Sequence, residues 1–278
     1  MIDVLFTAEF GRRALVAATV VGLVAPVVGA FLVQRRLSLV GDGIGHLALA
    51  GVAIGVLVGI SGVWGALVVA LLGAVLLEVL RVRGRLTGDL SLALIFYLGI
   101  AAGAVGLSLA GRFDTSVLGV LFGTLFALTW VDVAVIAGLG AIVLAAVLVL
   151  YRPLLAVALD EETARAGGLP VDALNLALVA LTAMLVVGGM RVVGLLLVAA
   201  LMVVPVAAGS KVAHSFRATL GWAVGVGGAS AWAGLAIAAW HGDLVPGGTI
   251  VLTAIAVFVA FAVVGRRTAV GHRPRTSA

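Results

Sequence analysis

Residues 14–33 read ALVAATVVGLVAPVVGAFLV, a run without one charged side chain, closed by Arg12 and Arg13 on one side and Arg35 and Arg36 on the other. As a helix rising 1.5 Å per residue, such a run is about 30 Å long, the thickness of a bilayer's hydrocarbon core. A helix also satisfies its backbone polar groups internally, which lipid requires. The same reading repeats at 39–60, 63–80, 90–110, 131–150, 173–189, 192–209, 218–240 and 248–265. The apolar stretch 115–128 is too short to cross and reads as a re-entrant or partly buried segment. The expected fold is therefore all-α, a polytopic transmembrane helix bundle of eight to nine spans plus a short re-entrant or partial helix.

Composition excludes a soluble core. Of 278 residues, 64% are hydrophobic and 10% charged, against about 25% charged in an ordinary globular domain. The formal charge of +5 does not point to nucleic acid, because the basic residues sit in short breaks between apolar runs. If Arg35 and Arg36 are cytoplasmic, strict alternation leaves only Arg12, Arg13, Arg112 and Arg191 of the 17 basic residues outside, as the positive-inside rule requires. The N-terminus is then external, unless Arg12 and Arg13 belong to an additional entering helix. Asp3 and Glu9 ahead of the first run suit an uncleaved helix better than a signal peptide. With no cysteine, a metal has only His, carboxylate, backbone oxygen or water as ligands.

The chain reads as one transmembrane domain, residues 1–265, followed by a basic cytoplasmic tail, 266–278, that is expected to be disordered. The longest polar break, 151–172, carries Arg152, Asp160, Glu161, Glu162, Arg165 and Asp172, and is the one internal loop large enough to form a docking element. Glycines recur at helical spacing at 41/45, 51/55/59, 99/103, 119/123 and 221/225, which predicts close helix crossings. Gly188 and Gly189 are expected to interrupt the apolar stretch from 173 to 209, and Pro205 to kink its second half.

An ionisable side chain inside a spanning run is expensive in lipid and is a functional candidate on that ground. The sharpest case is Gly41-Asp42-Gly43-Ile44-Gly45-His46. Asp42 and His46 are four apart and share a helix face. Carboxylate oxygen and imidazole nitrogen together suit zinc, manganese or iron(II), although zinc usually takes four ligands. The other reading has Asp42 capping the helix and His46 donating to a carbonyl of a neighbouring helix. These residues alone leave both open. Glu78 lies one turn from the cytoplasmic end of its run beside Arg81 and Arg83, where snorkelling and local pairing account for it. Asp114, His241 and Asp243 fall in breaks on the external side, where they are candidates to line an entrance. No G-x-x-x-x-G-K-[ST], H-E-x-x-H or G-x-S-x-G is present, so the chain lacks a phosphate loop and the usual hydrolase signatures.

The stretch Gln34-Arg35-Arg36-Leu37-Ser38-Leu39-Val40-Gly41-Asp42-Gly43-Ile44-Gly45-His46 resembles the start of the second helix in the zinc and manganese permeases of the ATP-binding-cassette importers. Asp160-Glu161-Glu162-Thr163-Ala164-Arg165-Ala166-Gly167-Gly168-Leu169-Pro170 resembles the family's cytoplasmic coupling segment, and 191–205 and 246–252 are similar to its later helices. The matches run in order over residues 34–252. Where many members have Ser before the motif histidine and Pro before the following Gly, this chain has Gly45 and Ala50.

This resemblance implies a homodimeric permease in the bacterial plasma membrane, with no resident cofactor and no enzymatic activity of its own. It implies passage of Zn²⁺, or else Mn²⁺ or Fe²⁺, through Asp42 and His46. Its expected partners are an external metal-binding protein, membrane lipid and a separate cytoplasmic ATPase. The ATPase would dock on Asp160, Glu161, Glu162, Ala164, Arg165, Gly167 and Gly168. Two rival readings use the same residues: a membrane-embedded metalloenzyme, which needs a third ligand and a general base, and an ATP-independent ion-coupled carrier with Asp42 as a proton site.

Overall fold

Runs rich in Leu, Val and Ala fold as helices once their backbone groups have no water to bond. The computed structural model describes residues 3–82, 88–111, 115–242 and 244–270. Its helices are α1 (Asp3–Thr7), α2 (Glu9–Gln34), α3 (Val40–Val58), α4 (Gly62–Val82), α5 (Gly88–Leu109), α6 (Thr115–Phe122), α7 (Trp130–Val149), α8 (Tyr151–Leu159), α9 (Glu161–Ala166), α10 (Val171–Gly189), α11 (Leu195–Gly209), α12 (Phe216–His241) and α13 (Pro246–Val270), with a 3-10 turn at Leu125–Ala127. Among the described residues, α2, α3, α4, α5, α7, α10, α12 and α13 are long and apolar enough to cross a membrane.

The run 192–209 departs from expectation. It forms a helix of 15 residues, α11, which at 1.5 Å per residue is about 22 Å long and short of the roughly 30 Å core. The break falls at 190–194, where Gly194 has φ +94, a conformation that L side chains rarely adopt. Gly188 and Gly189 stay helical and buried at the end of α10. A Cβ at Gly189 would lie 2.6 Å from the Val198 side chain, so that glycine serves packing. The stretch 115–128 is the expected partial element, formed by α6 and the 3-10 turn. Its Thr124 amide donates to the Arg191 carbonyl at 3.1 Å, which binds it to the α10–α11 turn. Arg12 and Arg13 lie within α2 itself, and α13 covers 266–270, the first part of the stretch read as tail.

Side-chain contacts define the two ends of the bundle. At one, Trp130 Nε1 donates to Glu9 at 2.8 Å and Arg191 pairs with Asp132. At the other, Arg35 reaches Asn175 and Glu161. The basic breaks at Arg35, Arg81 and Arg165 thus share an end, the partition that the charge alternation requires. Helices α2, α3 and α10 are the most buried spans, while α5, α7 and α13 expose much of their surface.

Glycine sets the closest crossings. A Cβ at Gly51 would come within 2.5 Å of the Gly65 carbonyl, joining α3 to α4, and one at Gly22 within 2.9 Å of the Gly227 carbonyl, joining α2 to α12. Gly221 and Gly225 behave differently, because nothing lies within 4 Å of either Cβ position. That pair faces outward from the bundle.

Candidate metal-transport site

The segment leading into α3 is held by its own backbone. The Leu37 amide donates to the Leu32 carbonyl at 2.8 Å and the Arg36 amide to the Val33 carbonyl at 3.1 Å, the pattern of a Schellman motif. Arg36 occupies its left-handed position with φ 58. Helix α3 begins directly afterwards, with Asp42 in its first turn and no side-chain cap at Leu39.

Asp42 and His46 are both half-buried, one turn apart on α3. Gly41 packs against Ala199 and Met202 of α11, Gly45 against Leu195, and Gly43 against Leu92 of α5. The glycines therefore let α5 and α11 close around the helix that carries the two polar side chains. The His46 ring sits edge-to-face on Phe96, with centroids 4.4 Å apart. Gly99, one turn beyond Phe96, brings the α5 backbone against His46: a Cβ there would lie 2.5 Å from the His46 carbonyl carbon.

Neither polar side chain has a hydrogen-bond or ion-pair partner among the described residues. Asp42 makes no hydrogen bond or ion pair among the described residues, so the capping reading finds no bond to rest on. His46 Nδ1 is buried and unbonded, so that nitrogen makes no donation to a carbonyl of a neighbouring helix. A buried polar atom without a partner costs about 1–3 kcal/mol, and a carboxylate and an imidazole aligned on one face are a donor pair suited to a divalent ion. Among the described residues no group of three or more His, Asp or Glu lies close enough to hold a metal. The pair thus has no third ligand of these types here.

Of the three residues read as an entrance, His241 ends α12 and is exposed, while Asp114 and Asp243 lie outside the described residues. Glu78 is paired with Arg81 at 3.2 Å as expected, but it is buried, so the expected snorkelling to solvent does not occur.

The polar break 151–172 forms two short helices. α8 buries Leu154, Val157 and Ala158, and α9 projects beyond it with Ala164 turned inward. Asp160 caps α9 by accepting from the Thr163 amide at 3.0 Å and its hydroxyl at 2.6 Å. These bonds hold the Asp160 carboxyl below the usual carboxylate range. Glu162, Gly167 and Gly168 are exposed, as a docking surface needs. Glu161 and Arg165 are engaged within the chain. Glu161 accepts from Arg35 at 2.7 Å and faces Arg165 at 3.4 Å, and Arg165 pairs with Asp172 at 2.7 Å.

Sequence reasoning missed Phe96, Asn175, Asp132 and the role of Arg35. Only Gly99 and Arg35 carried a sign, the first in a small-residue pair and the second in an arginine-rich turn.

The fold is that of a polytopic helical membrane protein, with no phosphate loop in its sequence. The chain belongs to the ABC 3 transport family, whose model matches residues 7–265. It is 30% identical to the "Manganese transport system membrane protein MntC" of Halalkalibacterium halodurans, over 92% of this chain and 87% of that protein. It is 27% identical to the "High-affinity zinc uptake system membrane protein ZnuB" of Haemophilus influenzae, over 93% of this chain and 97% of that one. Among solved structures it matches PsaBC from Streptococcus pneumoniae, in complex with Fab, with a TM-score of 0.84 and 30% identity over 94% of this chain and 93% of that chain. The resemblance to manganese and zinc permeases read from residues 34–252 is borne out. The chain is a multi-pass transport subunit of the bacterial plasma membrane, not an enzyme, and its ATPase is a separate chain.

Proposed function

We propose that this permease passes a divalent transition metal into the cytoplasm through a transient site built on Asp42 and His46, and that the metal is Zn²⁺. The observation that carries the reading is the pairing of an unpartnered carboxylate with an imidazole whose Nδ1 is buried and unbonded, one turn apart on a helix enclosed by α5 and α11. Two protein ligands favour transit over storage, since conduction requires exit as well as entry. Backbone oxygen or water completes the shell. For nitrogen and oxygen donors, affinity rises from Mn²⁺ toward Zn²⁺, which favours zinc at a site this sparse. Mn²⁺ is the second reading, and it is favoured by the names of relatives such as MntC.

The permease works as a homodimer. Gly221 and Gly225, four apart on α12 and open to the outside, are a small-residue face of the kind on which membrane helices associate. An extracytoplasmic binding protein delivers the ion at the end holding Asp132 and Arg191. A cytoplasmic ATPase docks at the exposed residues of α9 and the glycines after it. ATP binding shifts the two bundles between outward and inward states. Of the stretch 266–278 read as a basic tail, residues 271–278 lie outside the described residues.

The test is uptake of radioactive zinc into proteoliposomes holding permease, ATPase and binding protein, with unlabelled manganese as competitor. Zinc accumulation that survives a manganese excess is expected. Manganese uptake that zinc fails to displace would make Mn²⁺ the cargo, and ATP-dependent uptake of neither would end the proposal.

A further inference from the structure

The coupling segment is joined to the ligand-bearing helix by one side chain. Arg35 caps the end of α2, and its side chain, 7% exposed, places the guanidinium between two acceptors on separate elements. One is the amide oxygen of Asn175, itself buried on α10. The other is Glu161 on α9, at 2.7 Å. A fork that donates to two acceptors at once is rigid in a way that a lysine ammonium is not. Among the described residues, no other hydrogen bond or ion pair joins α9 to α2 or α3. The remaining ties of α9 run to α10, through Arg165 and Asp172.

The backbone between Arg35 and α3 has little slack. The Schellman bonds fix Arg36 and Leu37, the Val40 amide donates to the Leu37 carbonyl at 3.0 Å, and the Gly43 amide to the Leu39 carbonyl at 3.1 Å. Asp42 lies inside that last hydrogen-bonded turn. Displacement of Arg35 is therefore displacement of the start of α3. An equilibrium shifts only through contacts that differ between its states, and the Glu161–Arg35 pair is such a contact, with one partner on the docking element and the other rooted in the membrane bundle.

We propose that Arg35 is a positioning residue that transmits the state of the ATPase to the metal site: movement of α9 on nucleotide binding is carried by the Glu161–Arg35 pair into the 35–39 turn and so to Asp42. The inference rests on the reading that this permease carries metal through Asp42, but its test is chosen to stand without it. The chain has no cysteine, so single thiols report cleanly. Leu39, 63% exposed, is replaced by Cys in one protein and Glu162 in another, and each is assembled with its ATPase. The rate of thiol modification is compared without nucleotide and with ATP trapped. Both positions should respond in the parent background. In Glu161→Gln, and in Arg35→Gln where it assembles, the response at 162 should persist while the response at 39 is lost.

A second readout is metal moved per ATP hydrolysed. Coupling between sites commonly amounts to a factor of roughly 5–150, so this ratio should fall at least about fivefold in Glu161→Gln. The exchange Arg35→Glu with Glu161→Arg should recover part of the loss. A Leu39 response that survives Glu161→Gln, or that never appears in the parent, overturns the proposal. If the parent moves no metal yet the thiol pattern holds, the cargo assignment fails and the transmission role stands.

Discussion

Replacing Gly99 by alanine perturbs the candidate site while leaving the identity of both proposed ligands unchanged. The added Cβ would lie 2.5 Å from the His46 carbonyl carbon, 2.6 Å from the Leu47 nitrogen and 2.9 Å from the His46 Cβ, where ordinary contact begins near 3.4 Å. Restoring contact requires α3 and α5 to part by about 0.9 Å at this level, the difference between 3.4 and 2.5 Å. Overpacking of this kind costs about 1–3 kcal/mol, partly offset by the roughly 0.5–1 kcal/mol that alanine contributes over glycine inside a helix. The bundle should therefore survive. A metal site should not, because ligand distances are held to about 0.2 Å. We expect normal membrane levels and ATPase copurification, with metal uptake at sub-saturating supply strongly reduced. Gly103→Ala is the control. Its Cβ meets Leu49 Cγ at 3.0 Å and Cδ2 at 3.1 Å and the Ala50 nitrogen at 3.3 Å, a milder crowding one turn further from His46, and uptake should remain close to the parent. Equal uptake by the Gly99 and Gly103 variants would refute the argument that His46 position governs transport.

Other consequences are open to measurement. Asp132 closes a capping box with Thr129 and also pairs with Arg191 across α7 and the α10–α11 turn; Arg191→Gln should lower stability by about 1–2 kcal/mol for a half-exposed charge-assisted bond, read as a shift in thermal unfolding, and an unchanged transition would mean the pair contributes nothing. Cysteines placed at His241 and Leu159, both exposed and at opposite ends of the bundle, should be labelled on intact cells by an impermeant reagent at 241 only; labelling at 159 instead inverts the orientation. The Asp160 carboxyl is lowered chiefly by its Thr163 hydrogen bond, so its stabilisation of α9 is complete above the ordinary carboxylate range and is lost as pH falls through the depressed value. Amide exchange across 161–166, corrected for intrinsic rates, should accelerate there in the parent. Asp160→Asn should show no such acceleration, since asparagine caps without titrating.

The spans were legible because lipid leaves a chain few choices. A run such as 14–33 has to be helical, and α2 follows it. The failure at 192–209 is equally physical: hydropathy counts Val192–Gly194 as apolar and cannot see that Gly194 takes a positive φ, while the conspicuous Gly188-Gly189 pair is buried packing within α10. Asp42 and His46 were visible through local spacing, which fixes their shared face. Their enclosure was not, because Gly99 and Phe96 come from another span. Arg35 meets partners 126 and 140 positions away, a juxtaposition that no periodicity encodes. The glycine pairs were ambiguous for the same reason. Spacing predicted crossings, and only the fold distinguishes Gly51, locked against Gly65, from Gly221 and Gly225, which face outward.

The central claim is that Asp42 and His46 hold the metal in transit. Asn at 42 keeps the shape and capping ability of Asp but binds a divalent ion poorly, and His46→Ala removes the imidazole. The most direct measurement is ATP-driven uptake of radioactive zinc and manganese, each at sub-saturating concentration, by proteoliposomes carrying the complete complex with the parent, Asp42→Asn or His46→Ala permease. Loss of uptake of the transported metal in both variants, with the permease still inserted and still bound to its ATPase, is the predicted result. Uptake by both variants at the parent rate would place the metal path elsewhere and leave the two residues a structural role.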